Sequence, residues 1–308
     1  MKKIFCIVLL LIAAMSCSEK KIDFERAEIT INNQKFELLT AYALFEEYID
    51  KKSDYQRKIF NHIKTEFKKD AEYLFILESI KRPIKPDEEL QTEIELLKLI
   101  NFTAISGKYL DTITKMLSGP DTKILFIPSN PEYRAFFKKY NIGVTAVTVG
   151  SGKIIVSVDP TSDNWEKLLP YVLAHEYHHS VWTSKNFSTI DFTPLEYLVL
   201  EGRADVFASE LFPAISIPWT NMIDKHTERR VWGIIKPELN QRKSDMNDKM
   251  MIGTKEIPFG SGYTIGFNIV QSFKANKSNM SDSVLIDIDP SEILISSDYE
   301  QSLPGVME

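Results

Sequence analysis

The sequence predicts an α+β protein in two parts: a helical lobe over residues 36–118, then a lobe over residues 119–308 in which a small β-sheet precedes two interacting helices. Three observations carry this reading. Apolar residues recur at steps of three and four from Phe36 to about Leu117, the period of a half-buried helix. Two runs rich in β-branched residues, Val144 to Val149 and Lys153 to Val158, flank Gly150-Ser151-Gly152, which signals a hairpin. Finally, Trp165, Leu168, Val172, His175, His179 and Trp182 alternate steps of three and four, so two histidines share the apolar stripe of one helix.

In chain order, residues 1–17 read as a secretory signal: Lys2-Lys3, the apolar run Ile4 to Ala14, and small residues near Cys17. The run is too short to remain as a membrane span. Ala14-Met15-Ser16-Cys17 resembles a bacterial lipoprotein processing box, with Cys17 as the lipidated first residue of the mature chain; an ordinary cleaved signal is the alternative. Residues 18–35 are polar apart from an alternation at Ile29 and Ile31, and read as a tether. The helical lobe follows, with Phe36, Leu39 and Tyr42, then Leu90, Ile94, Leu97 and Ile100, interrupted at Pro83 and Pro86. Gly119-Pro120 ends it.

Lys123 to Ile127 has the apolar density of a buried strand, Pro131 to Tyr140 suggests a short helix, and a turn at Asp159 to Asp163 leads from the hairpin into the helix with the two histidines. Pro170 within that helix predicts a kink or a late start. Thr193-Pro194-Leu195-Glu196 is a capping box with Pro at the first helical position, which gives Glu196 a structural role. From there Tyr197, Glu201, Ala204, Ala208 and Leu211 share one face, and Asp289-Pro290-Ser291-Glu292 begins a short closing helix.

Composition excludes several chemistries. The two cysteines, Cys6 and Cys17, both fall in the signal segment, so the body has no thiol for a disulfide, a cluster or a nucleophile. With 43 Asp and Glu against 37 Lys and Arg, the net charge is −6, which argues against nucleic acid as a partner.

The chemistry concentrates in His175-Glu176-Tyr177-His178-His179. Residues four apart lie on one helix face, so His175 and His179 can aim ring nitrogens at one ion. Satisfied core histidines are the plain alternative, but burying two imidazoles without partners costs a few kcal/mol, and an ion shared by both is the economical solution. Catalytic zinc takes three protein ligands and a water. Glu201, 22 residues after His179 among apolar neighbours, is the candidate third ligand. Gly202 sits mid-helix at a cost of about 1 kcal/mol, and a close helix approach would explain it. Asp205, one turn on, is placed to accept the other ring N–H of a ligand histidine. The plain alternative makes Glu201 and Asp205 solvated acids paired with Arg203. Glu176 points beside the metal and is the natural general base. His178 leaves the apolar stripe and is expected at the rim of the site, while His62 reads as a surface residue of the helical lobe.

The pattern H-E-x-x-H followed by E-x-x-x-D resembles the gluzincin arrangement of thermolysin-like metallopeptidases. More narrowly, His175 to His179, Glu201-Gly202-Arg203-Ala204-Asp205 and Gly262-Tyr263-Thr264-Ile265-Gly266-Phe267 resemble a bacterial family of predicted zinc-dependent proteases. The resemblance covers roughly residues 120–300. It implies a zincin-like catalytic lobe, a Zn²⁺ cofactor and a peptide or protein substrate. It also implies Tyr263 as the oxyanion donor, with His226 as second choice, and an edge strand at Val144 to Val149 that pairs with extended peptide; an interior strand is the alternative.

The resulting expectation is a zinc metallopeptidase anchored by lipid in the cell envelope, on the periplasmic face or the outer membrane. A non-catalytic envelope lipoprotein that uses the same fold for binding or assembly is the alternative, as is zinc hydrolysis of a non-peptide amide. Oligomeric state has no sequence signal.

Overall fold

A β-hairpin opens the fold where a tether and the start of a helix were expected. The computed structural model describes residues 22–51, 54–68, 72–130, 134–187, 191–277 and 280–304, so the signal segment, Cys17 and the first residues of the expected tether lie outside it. Strand β1 (Glu25–Ile31) pairs antiparallel with β2 (Gln34–Thr40). Between them Asn32 and Asn33 hold φ of 50° and 65°, the left-handed pair of a two-residue hairpin turn, which Asn tolerates. The three-residue step from Phe36 to Leu39 imitated a helical period. In the strand these residues face opposite sides, and both are fully buried because the sheet is covered on both faces here.

Next, β2 runs parallel to β3 (Thr122–Pro128), and β3 parallel to β5 (Lys153–Val158). The hairpin read around Gly150-Ser151-Gly152 is present, with β4 (Val144–Gly150) antiparallel to β5. The order β1-β2-β3-β5-β4 makes β4 an outer edge of the sheet.

Parallel β2 and β3 need a crossover, and its helices must bury their apolar faces on the sheet. Helices α1 (Tyr42–Asp50), α2 (Asn61–Phe67, continuing a π-turn at Gln56–Phe60), α3 (Leu74–Ser79), α4 (Glu88–Lys98) and α5 (Phe102–Met116) form that crossover. Phe102 stacks on Phe126 of β3 with ring centroids 4.2 Å apart. Residues from Phe45 to Leu117 share one hydrophobic cluster with the sheet. The boundary expected between residues 118 and 119 therefore crosses a common core, and the helices are not a lobe with a core of their own.

After α6 (Arg134–Tyr140) and the hairpin come α7 (Trp165–Asn186) and α8 (Pro194–Leu211). Then α9 (Lys225–Ile235), α10 (Met246–Ile252), α11 (Ser261–Asn276), α12 (Asp282–Leu285), α13 (Pro290–Ile295) and α14 (Tyr299–Ser302) gather a second cluster running from Leu195 to Leu303. The closing helix expected at Asp289-Pro290 is α13, capped by the Asp289 carboxylate on the Ser291 N–H at 2.8 Å. Among the described residues no helix is long and apolar enough to cross a membrane.

Candidate metal centre

From Leu168 to His178 helix α7 is buried on all sides, not along one stripe. Such a helix belongs in the middle of a core, and α7 lies between the sheet and α8. It starts at Trp165 and continues through Pro170. Side-chain bonds fix its rotation. The Tyr177 hydroxyl donates to Gln34 Oε1 of β2 at 2.7 Å, and Ser180 Oγ accepts from the Gly152 N–H of the hairpin turn at 2.7 Å. His178 is thereby turned into the core against Phe207, ring centroids 5.6 Å apart, and not to the rim. Burial, then the neighbouring His179 and Arg203, hold its pKa well below the ordinary histidine value, so it packs as a neutral ring.

Helix α8 begins as its sequence dictates. Thr193 Oγ1 accepts from the Glu196 N–H at 3.2 Å, and Glu196 returns a carboxylate oxygen to the Thr193 N–H at 2.7 Å. Gly202 does mark a close approach, but against α11 and not against α7. A Cβ there would lie 2.1 Å from the Gly266 carbonyl oxygen, and one on Gly266 would lie 2.2 Å from the Leu198 carbonyl oxygen. Backbone contact with α11 on one side leaves the opposite side of α8, with Glu201 and Asp205, facing α7.

The histidine pair and Glu201 converge. Nε2 of His175 and Nε2 of His179 are 2.9 Å apart, and Glu201 Oε2 lies 3.3 Å from the first and 3.4 Å from the second. Asp205 Oδ1 accepts the His175 Nδ1 proton at 2.9 Å, which leaves Nε2 of a neutral His175 as a lone pair. Two lone pairs and a carboxylate at these separations repel unless a cation lies among them. In the absence of an ion a proton can serve in its place. Burial opposes charge on His175, yet Asp205, Glu201 and Glu176 outweigh it and hold its pKa well above the ordinary value. Burial likewise opposes charge on Glu201, but His179 and His175 prevail and keep it below the usual carboxylate range. With donor atoms all within 4.8 Å of one another, His175, His179 and Glu201 can hold a metal ion.

Glu176 stands beside this cluster, as its position in the sequence implied. Thr148 of β4 reaches it: its hydroxyl lies 2.7 Å from Glu176 Oε2 and 2.8 Å from the Glu176 carbonyl oxygen. Two cavities meet here, one of about 190 Å³ and one of about 380 Å³, and share Ala146, His175, Glu176 and Tyr263 in their walls. Tyr263, on the first turn of α11, thus faces the cluster as expected, and burial, then Glu201, raise its hydroxyl well above the usual tyrosine pKa. Tyr197, one turn before Glu201, lines the larger cavity. His226 is exposed on the first turn of α9 and lines neither cavity.

Residues 102–295, more than half of the chain, match the family described as predicted Zn-dependent protease (DUF2268). The chain belongs to that family. The matched span of the predicted Zn-dependent protease family contains His175, Glu176, His179, Glu201, Asp205 and Tyr263. The chain is 33% identical over 138 residues to the uncharacterised protein YjfC of Bacillus subtilis (strain 168), a match covering 40% of this chain and 44% of that protein. It is also similar to the crystal structure of an aminopeptidase N family protein from Idiomarina loihiensis, at 12% identity and a TM-score of 0.42, over 92% of this chain and 42% of that one.

Three contributors escaped the sequence reading. The Trp219 indole N–H donates to Asp205 Oδ1 at 3.0 Å, and the Tyr171 hydroxyl donates to the Asp205 carbonyl at 2.9 Å. Together they fix the carboxylate that holds His175. Thr148 looked like one more β-branched strand former. None has a local spacing that announces it, since each meets its partner through the tertiary fold.

Proposed function

We propose that this protein is a zinc metallopeptidase, with His175, His179 and Glu201 as metal ligands and Glu176 as general base. The carrying observation is the convergence of His175 Nε2, His179 Nε2 and Glu201 Oε2 beside Glu176 in one cleft. The set fits zinc: at bond lengths of about 2.0–2.1 Å, tetrahedral ligand atoms stand about 3.3–3.4 Å apart. The two contacts to Glu201, at 3.3 and 3.4 Å, match that spacing, while the 2.9 Å between the imidazoles is slightly shorter. Two nitrogens and one carboxylate form a three-ligand catalytic set, whereas a structural zinc takes four protein ligands.

When bound, zinc would polarise the scissile carbonyl and acidify the attacking water. The residues of the chain do the rest. Glu176 takes the proton from the water and returns it to the leaving amine. Thr148 holds the Glu176 carboxylate in place, and Asp205 keeps the His175 proton on Nδ1. Tyr263, which lines both cavities, would donate to the oxyanion, where a preorganised hydroxyl stabilises developing charge. The substrate backbone is held by β4. Gly143 accepts from the Asp159 N–H across the ladder at 2.9 Å. By alternation Thr145 and Val147 then bond to β5, so Ala146 directs its N–H and C=O outward along the cleft.

The proposal includes location: lipid attached at Cys17 would hold the enzyme in the cell envelope. Two measurements test it. In the full-length protein, Glu176→Gln should retain stoichiometric zinc and lose at least a hundredfold in peptide cleavage, whereas wild-type protein that binds no zinc would defeat the assignment. Cys17→Ala should move the protein from the membrane to the soluble fraction; unchanged membrane partition would remove the lipid anchor from the proposal.

A further inference from the structure

The sheet begins close to the residue that carries the proposed lipid. Cys17 stands eight positions before Glu25, the first residue of β1, and eight residues of fully extended chain reach at most about 29 Å. With lipid at Cys17, the start of β1 is held near the bilayer whatever path the intervening residues take. A row of paired residues crosses the sheet from that point: Glu25 pairs with Thr40, Thr40 with Phe126, Phe126 with Val156, and Val156 with Ala146 of β4. Four strand spacings amount to about 19 Å, so the edge that lines the cleft stands at most that far from Glu25.

An apolar patch lies beside this root of the sheet. Helix α4 turns Leu90, Ile94 and Leu97 into the core, while Leu96 and Leu99, three positions apart, face outward. Leu99 is 82% exposed, more than any other large apolar side chain among the described residues, and Ile22, just ahead of β1, is exposed as well. Lys98 links the two elements. Its ammonium donates to Glu46 Oε1 at 2.6 Å, and Glu46, then Glu25, raise its pKa. Because Glu46 neutralises Lys98, the patch offers a membrane apolar surface and no uncompensated cation for lipid headgroups.

We propose that Ile22, Leu96 and Leu99 form a face that docks on the lipid bilayer and seats the body beside its own anchor. The proposal rests on the lipid at Cys17 and is independent of the peptidase chemistry. Single exposed apolar residues are common on protein surfaces and bind little by themselves. The lipid alters the balance, since a short linker holds the patch at a roughly millimolar effective concentration beside the membrane. A weak apolar contact then suffices to keep the body seated. Seating also limits what the cleft meets, which is polypeptide near the membrane surface and not chain far from it.

The experiment uses the full-length protein, processed and reconstituted on vesicles of phosphatidylethanolamine with phosphatidylglycerol as the minor lipid. The body has no cysteine of its own, so Leu99→Cys carries an environment-sensitive fluorophore at one site. Ile295→Cys, on α13 and equally exposed, is the control. On vesicles the label at position 99 should shift to the blue and be quenched by iodide about fivefold less than the label at position 295. In a Leu96→Glu/Leu99→Glu background with unchanged melting temperature, a label at Ile22→Cys should lose its protection while the protein still sediments with the vesicles. Sedimentation with equal iodide quenching at positions 99 and 295 would overturn the docking face and leave the lipid anchor intact. Protein that fails to sediment with vesicles would sink the anchor, and the docking face with it. Protection already present in detergent, with the mass of a dimer, would give the face to a second copy of the chain and overturn the proposal.

Discussion

At the scale of single residues, the support of Glu176, the proposed general base, is open to direct measurement. One Thr148 hydroxyl proton faces two acceptors on Glu176 and serves one at a time. Thr148→Val keeps the shape and removes the proton, so Glu176 loses a hydrogen bond to a charged group, which contributes about 1.5–3 kcal/mol. A fall of about ten- to a hundredfold in kcat, with KM and zinc content unchanged, is the expected result. An unchanged kcat would remove Thr148 from the machinery. A second residue acts on stability. Glu93 of α4 is 1% exposed, and burial, with Asp159 and Asp87 adding to it, pushes its pKa up to about 8. The unfolded chain binds that proton only below about pH 4.3. The folded state thus holds the proton more tightly, and its contribution is complete below that pH and is lost as pH rises through about 8. Wild-type stability should fall by on the order of 5 kcal/mol over this range. Denaturation midpoints for Glu93→Gln should be flatter with pH; a curve parallel to wild type would show that Glu93 is not the group responsible.

At the scale of elements, Glu201, the proposed third ligand, is placed by the crossing of α8 and α11. A Cβ on Gly266 would stand 2.2 Å from the Leu198 carbonyl oxygen, so the two backbones must part to admit it. Gly266→Ala should cost about 1–3 kcal/mol in stability, as overpacking does, and should weaken zinc binding at least tenfold by shifting α8. Gly233→Ala on α9, where nothing lies within 4 Å, is the control and should gain up to about 1 kcal/mol from helix propensity. Zinc titration and thermal melting decide, and a folded Gly266→Ala protein with native zinc affinity would refute the link. Elements whose cause is local were legible in the sequence: the capping box of α8, the Asp289 cap of α13, the β4–β5 hairpin, and the four-residue spacing of His175 and His179. The same sequence hid β1 and β2, because the three-residue step from Phe36 to Leu39 imitates a helix, although Asn32-Asn33 is a pair that tolerates the left-handed turn. That α8 meets α11 closely could be suspected from Gly202, but the partner could not, since Gly266 lies 64 positions away. Trp219 and Tyr171 were illegible for the same reason.

At the scale of the whole molecule, the metal centre sits where two cores join. Residues of α7 such as Leu169, Leu173 and Tyr177 belong to the cluster built on the sheet, whereas Leu195, Leu198, Val199 and Val206 of α8 belong to the cluster of the carboxy-terminal helices. Two of the proposed ligands come from the first of these helices and one from the second, so a bound ion would clamp the halves together. Without the ion, burial opposes charge here, yet Asp205 and Glu201 favour a proton on His175 and the histidines keep Glu201 charged, so these side-chain pairs take the place of the ion between α7 and α8. A ligand that binds only the folded state stabilises it by about 2.7 kcal/mol at a hundred times its Kd, which corresponds to a rise of several degrees in a chain of this size. Zinc added back to chelator-treated protein should therefore raise Tm by about 5 °C. Glu201→Gln should lose most of that rise, because a neutral amide is a poor third ligand, and its zinc-free form should melt below zinc-free wild type, because the carboxylate that pairs with the two histidines is gone. A zinc-free Tm equal to that of the loaded wild type would mean that the ion does not couple the two halves, and the joint between α7 and α8 would then have to be held by the Asp205 network with Tyr171, His175 and Trp219 alone.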